Sequence, residues 1–172
     1  MEVVLMKKNF LAVMFVVYFL ILTWIIVFKM SFSLEELGHI RSLNLIPLKG
    51  SVIVNGKLDA GEILQNVIAF IPLGVFIRAL AGKRNLSREI AAAALISIAY
   101  ETLQFILAIG RTDITDFLAN TIGGIIGIMV CAAIEKICGR EDRFILVISI
   151  CTGIGTFAVV GLVALLLLAN NF

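Results

Sequence analysis

Long apolar runs alternate with short polar stretches along the whole chain. The runs fall at about residues 10–28, 63–80, 90–109, 114–134 and 144–168. Each has roughly the 17–25 residues that a helix needs to cross a bilayer. They are apolar throughout and not striped, so the pattern predicts an all-α integral membrane protein, a bundle of about five transmembrane helices. A transmembrane β-barrel would need short alternating segments, and there are none. Lys7 and Lys8 before the first run imitate the start of a signal peptide. That run is longer than the roughly 7–15 apolar residues of such peptides, and no small-x-small site follows it. It reads as an uncleaved first helix.

The polar stretches predict the connections. Residues 29–61 read as a loop, with a short hairpin across Val54-Asn55-Gly56-Lys57. A loop of about 30 residues is long for a plain connector and suggests a function, as a lid or as a re-entrant segment. His39, the only histidine, reads as a solvated loop residue. Arg78, Lys83, Arg84 and Arg88 crowd the next connection, and Gly110-Arg111-Thr112 reads as a tight turn. With the N-terminus inside, nine basic residues (Lys7, Lys8, Arg78, Lys83, Arg84, Arg88, Lys136, Arg140, Arg143) face the cytoplasm and five (Lys29, Arg41, Lys49, Lys57, Arg111) face out. That bias predicts N-terminus in and C-terminus out.

The stretch from Tyr100 to Gly127 breaks the apolar pattern with Glu101, Gln104, Arg111, Asp113, Asp116 and Asn120. A charge inside a membrane helix costs about 2.5–3.5 kcal/mol on insertion scales, so such residues need partners or water. Ser97, Glu101 and Gln104 form one stripe on the third helix. Asp113, Asp116, Asn120, Gly123, Gly124 and Gly127 share a face of the fourth. Along the helix axis, Glu101 and Gln104 lie roughly 12 and 8 Å from the outer end of the third helix, and Asp116 and Asn120 roughly 3 and 9 Å from the start of the fourth. Glu62 and Asn66 stand at the outer end of the second. Three helices thus bring polar groups to the same depth. Further along, Pro72 should kink the second helix, and the Gly123–Gly127 spacing invites close packing.

Two uses fit that cluster. One is a structural knot in which Glu101 and Asp116 pair with Arg111. The other is a water-accessible pocket that presents carboxylates and one guanidinium to a ligand. Arg111 suits bidentate grip of a phosphate or carboxylate. Glu101 and Asp116 could act as an acid/base pair if burial raised one pKa. No Ser-His-Asp set, HExxH, GxSxG or P-loop occurs.

Composition narrows the class further. With 61% hydrophobic residues and two prolines the chain is no soluble domain, and a net charge of +2 gives nucleic acid no basic surface. The three cysteines, Cys131, Cys138 and Cys151, lack metal-ligand spacing. Cys131 and Cys138 read as packing residues.

Three blocks resemble the VanZ-like membrane proteins. They are Asn44-Leu45-Ile46-Pro47-Leu48, Asn66 with Phe70-Ile71-Pro72-Leu73-Gly74, and Glu101-x-x-Gln104 followed by Arg111-x-Asp113-x-x-Asp116-x-x-x-Asn120-x-x-Gly123-Gly124-x-x-Gly127. Leu48 and Leu73 stand where Phe is often found. The resemblance spans about half the chain and implies a bacterial inner-membrane protein. Its family takes its name from a protein linked to resistance to teicoplanin-type glycopeptides, drugs that act outside the membrane on lipid-linked cell-wall precursors.

The resulting expectation is a single membrane domain over 1–172, a four-helix VanZ-like bundle whose motif core spans 44–134, with a fifth, C-terminal helix at 144–168, in the bacterial cytoplasmic membrane. Its outer-leaflet pocket is expected to bind an envelope lipid or cell-wall precursor headgroup through Asn66, Glu101, Gln104, Arg111, Asp113, Asp116 and Asn120. Pro72, Gly123, Gly124 and Gly127 serve helix packing. No cofactor and no nucleic acid are called for, and a link to teicoplanin resistance is implied by the resemblance. The alternative is an intramembrane enzyme acting on such a lipid, with Glu101 and Asp116 as catalytic candidates. In that case carboxylates with Asn and Gln could hold Mg²⁺ or Mn²⁺.

Overall fold

The computed structural model describes residues 2–28, 40–48, 53–54, 57–58, 60–81 and 85–170. Its five helices are α1 (Glu2–Val27), α2 (Gly61–Leu80), α3 (Leu86–Leu107), α4 (Ile114–Cys138) and α5 (Glu141–Asn170). All five are long and apolar enough to cross a membrane. Among the described residues, four short strands lie in the connections: β1 (Ile40–Asn44), β2 (Ile53–Val54), β3 (Lys57–Leu58) and β4 (Ile109–Asp113). His39, Asn55, Gly56, Lys83 and Arg84 lie outside the described residues.

The starts of α3 and α4 are set by side-chain caps. Asn85 is extended (φ −138°, ψ 108°) and its Oδ1 accepts from the Arg88 N–H at 3.1 Å, so α3 starts at Leu86, four residues before its apolar run. Asp113 caps α4 in the same way, accepting from the Thr115 N–H at 2.9 Å. Gly139 closes α4 in the left-handed region (φ 65°), where the lack of a side chain removes the strain. Only Arg140 then separates α4 from α5. Pro72 lies inside α2, which runs through it to Leu80.

The helices pack around two kinds of contact. α1 contributes Phe15, Tyr18 and Phe19 to an aromatic cluster with Phe70 and Phe76 of α2 and Tyr100 of α3, at ring separations of 5.4–6.1 Å. Its hydroxyls are satisfied: Tyr18 donates to the Ala69 carbonyl, and Tyr100 meets Thr23 at 3.0 Å. α2 and α4 instead touch backbone to backbone. A Cβ on Gly74 would sit 2.0 Å from the Gly124 carbonyl, on Gly123 2.2 Å from that of Val67, and on Gly127 1.9 Å from that of Ile71. Apolar side chains gain nothing from leaving lipid, so this close backbone approach is where helix association finds its dispersion energy.

The tight turn expected at Gly110-Arg111-Thr112 is not present. α3 ends at Ala108 (φ 55°), and Ile109–Asp113 then runs extended as β4. It lies parallel to β1, in register from Ile40 opposite Ile109 to Asn44 opposite Asp113. Five extended residues leave backbone N–H and C=O groups that an apolar layer cannot satisfy, so a second strand supplies the partners. The connection expected to be a loop therefore carries β1. It also carries a hairpin, in which Val54 pairs with Lys57 and Ile53 with Leu58. The five expected helices are present and Val54 pairs with Lys57 as expected, while the parallel β1–β4 pair is an addition that the sequence did not suggest.

The two ends of the bundle differ. At one, the end of α3 and the start of α4 meet the β1–β4 ribbon. At the other, Arg78, Glu89 and Glu135 meet, and Lys8 pairs with Glu141 at 2.8 Å.

Candidate functional site

At the ribbon end the connection after α1 is fastened to the start of α4. Asn44 Nδ2 donates to both carboxylate oxygens of Asp113 at 3.0 Å, and its Oδ1 accepts from the Ile46 N–H at 3.2 Å. Leu48 donates its N–H to Thr115 Oγ1 at 2.9 Å. The Asn44–Leu48 block and the Asp113–Asp116 block are thus one structural unit. Glu101 reaches across from α3, where its Oε2 accepts from the Asp113 N–H at 3.0 Å. Asp113 and Asp116 both lie in the first turn of α4 or at its cap, where the helix dipole favours negative charge.

Below this lattice is a cavity of about 120 Å³. α2 lines it with Glu62, Gln65 and Asn66, α3 with Glu101 and Gln104, α4 with Asp116, and α1 with Ile25 and Ile26. Asn66 Nδ2 donates to Asp116 Oδ1 at 2.9 Å and fixes α2 against α4. Gln104 Nε2 donates to the Ile26 carbonyl at 2.8 Å, satisfying one of the orphan carbonyls at the end of α1. Three carboxylates and three amides therefore face one small volume at the ribbon end of the bundle. Among the described residues no three His, Cys, Asp or Glu are grouped to hold a metal ion.

Not every expected site residue is there. Asp113 serves the cap and the Asn44 clasp and does not line the cavity. The Arg111 side chain lies outside the described residues; its backbone is the centre of β4, opposite Ser42. Asn120 sits one turn below Asp116, is 0% exposed, and does not border the cavity. Neither of its side-chain polar atoms has a hydrogen-bond partner among the described residues. An orphaned buried amide costs free energy, and an apolar group of similar shape removes that cost. Asn120→Leu is therefore expected to keep or raise the unfolding temperature in detergent. A clear fall would mean that the amide holds an ordered water or a ligand.

Sequence reasoning also missed a second polar cluster, at the far end. Arg78 is not a loop residue: it lies in α2 with its side chain 16% exposed. Its guanidinium donates to both oxygens of Glu89 at 3.0 and 3.3 Å and to Glu135 Oε2 at 3.0 and 3.3 Å. Glu89 is 3% exposed. The available signal was spacing: Glu89, Ala93, Ser97 and Glu101 recur every four residues and form one buried face of α3.

The family model described as VanZ/LLP1 matches residues 15–135, well over half of the chain. The chain is similar to Protein VanZ of Enterococcus faecium, with 33% identity over 137 residues, covering 77% of this chain and 81% of that protein. No solved structure matches. The matched span takes in the Asn44 clasp, the polar cavity and the glycine contact, and the chain is a multi-pass membrane protein belonging to the VanZ/LLP1 family.

Proposed function

We propose that the cavity at the ribbon end binds the headgroup of an envelope lipid or lipid-linked cell-wall precursor. In this reading the N-terminus is cytoplasmic and the ribbon end lies in the outer leaflet of the bacterial cytoplasmic membrane. Arg111, at the centre of β4, supplies the anion contact, while Glu101, Gln104, Asn66 and Asp116 hold the polar part of the headgroup. Asp113 orients the ribbon, and Asn120 stands behind the floor. The teicoplanin connection that the family resemblance implies would act through such a site, by changing what is displayed outside.

The observation that carries this reading is the convergence of Glu62, Glu101 and Asp116 on one cavity from three different helices. At the centre of a membrane helix such a charge costs about 2.5–3.5 kcal/mol to insert; buried Glu101 bears most of that cost, while Glu62 and Asp116 stand in first turns and bear less. Interhelical polar contacts return only about 0.6 kcal/mol on average. Stability alone does not explain the set. A second reading, acid/base catalysis on the same lipid, is supported by Glu101 and Asp116 lining the same space. Turnover of a labelled lipid by purified protein, lost in Glu101→Gln, would favour it over binding alone.

The test compares the parent with Arg111→Gln, Glu101→Gln and Asp116→Asn in detergent, with and without added undecaprenyl phosphate. Each variant is expected to unfold near the parent's temperature yet lose the lipid-dependent rise. Variants that fail to insert, or that unfold far below the parent, would make the cluster a structural knot and sink the proposal.

A further inference from the structure

Glu101 borders a second hollow. An open groove of about 410 Å³ runs between α3 and α4 at the ribbon end, walled by Leu45, Ile98, Thr102, Phe105, Ile114 and Phe117. Leu45, Ile98, Thr102 and Phe105 are exposed on the outside of the bundle, the side that meets lipid in a membrane. The groove's hydroxyls are turned to the backbone: Thr102 donates to the Ile98 carbonyl at 2.7 Å and Thr112 to that of Glu101 at 3.1 Å. What the groove presents is hydrocarbon.

Size separates the two hollows. Ordinary ligand sites measure roughly 300–1,000 Å³. The polar cavity, at about 120 Å³, falls below that range, whereas the groove lies inside it. They share one side chain, Glu101, which lines both and is held by the Asp113 N–H. A carboxylate set between a polar cavity and a lipid-facing groove marks the point where an amphiphile changes character.

We propose that the cavity and the groove are two halves of one amphiphile site. A small polar headgroup occupies the cavity, and a single hydrocarbon chain lies in the groove, entering sideways from the bilayer between α3 and α4 past Glu101. This rests on the reading that the cavity takes a lipid headgroup, and it adds the ligand class and the route. A chain that leaves other lipid chains for the groove gains no hydrophobic free energy, so the groove contributes shape and orientation. It therefore selects for lipids whose one chain is attached directly to the headgroup.

The full-length protein in detergent micelles, titrated with undecaprenyl phosphate and followed by native mass spectrometry, tests this. Ile98→Phe narrows the groove from an exposed position without touching the cavity, and Leu95→Phe adds the same ring elsewhere on the exposed surface of α3. Ile98→Phe is expected to weaken binding about tenfold, with Leu95→Phe unchanged, and dioleoylphosphatidylglycerol, with two chains, to bind about tenfold more weakly than undecaprenyl phosphate. A diazirine carried on the polyprenyl chain is expected to label peptides containing Phe105 and Phe117. If Asp116→Asn weakens binding but Ile98→Phe does not, and the label lands elsewhere, the headgroup site stands and the groove assignment is overturned. If neither variant weakens binding, both readings fall. Equal binding of the two-chain lipid overturns the single-chain selection. Groove cross-links to a second copy of the protein would assign the groove to a protein partner instead.

Discussion

Gly127→Ala is expected to destabilise the protein by about 3 kcal/mol or more, the upper end of what overpacking costs. The added methyl would lie 1.9 Å from the Ile71 carbonyl oxygen and 3.0 Å from Gly74 Cα. Both obstacles are backbone, so no rotamer change relieves the clash. α2 and α4 must separate, and the dispersion contacts along their interface weaken together. The separation also pulls on Asn66–Asp116 at one end of the helix pair and Arg78–Glu135 at the other. Gly74→Ala and Gly123→Ala meet carbonyl oxygens at 2.0 and 2.2 Å and belong to the same class. Gly124→Ala meets the Ala93 Cβ at 2.7 Å, a side-chain contact that a small shift of α3 can relieve, and should cost less. Gly155→Ala and Gly161→Ala meet nothing within 4 Å and should be neutral or stabilising, since Ala is the better helix former by about 1 kcal/mol. Unfolding of the five variants beside Gly127→Ala in mixed micelles checks this order. Equal effects at Gly127 and Gly155 would show that the α2–α4 contact is looser than its geometry implies.

One side of that contact was legible in the sequence, because a helix repeats every 3.6 residues and glycines at 123, 124 and 127 share one face; its partner, Gly74 with Val67 and Ile71 of α2, was not. The same periodicity put Glu101 and Gln104 on one face of α3, and Asp116 with Asn120 on one face of α4. It could not separate Asp116, whose carboxylate borders the cavity, from Asn120, which is buried one turn beyond it. One turn is about 5.4 Å, the difference between reaching a cavity and lying under it. Pairing of β1 with β4 was not legible at all. The strands stand 69 residues apart in register, and neither Ile-Arg-Ser-Leu-Asn nor Ile-Gly-Arg-Thr-Asp alternates in the way a half-buried strand does. Their pairing is imposed by the helices they connect, which have no local signature. Asn44 shows the consequence. Within its own loop nothing marks its partner, and only Asp113, 69 residues away, makes it a clasp.

Arg78 was misread for a related reason, since a basic residue at the end of an apolar run looks like the start of a loop. Its replacement by Met is the other large effect expected. The guanidinium is shared by Glu89, which is 3% exposed, and Glu135, whose side chain is 24% exposed. Removing it leaves two acidic groups facing each other at the end of the bundle with their shared counter-charge gone. Breaking a buried ion pair from one side costs about 3–5 kcal/mol, and partial exposure of Glu135 places the expected loss near the lower figure. Arg78→Lys should recover only part of it, because one ammonium cannot reproduce a fork that grips both oxygens of Glu89 and also Glu135. Adding Glu89→Gln to Arg78→Met removes the more deeply buried charge and should return stability towards the parent, with a coupling of about 0.5–3 kcal/mol in the double-mutant cycle. Strict additivity of the two substitutions, measured by unfolding in micelles, would mean that water screens the triad and that the helices hold this end by packing alone. A strong coupling would instead make the triad the lock at the Arg78 end, leaving the ribbon end, with its open cavity and groove, as the part of the bundle free to respond to a ligand.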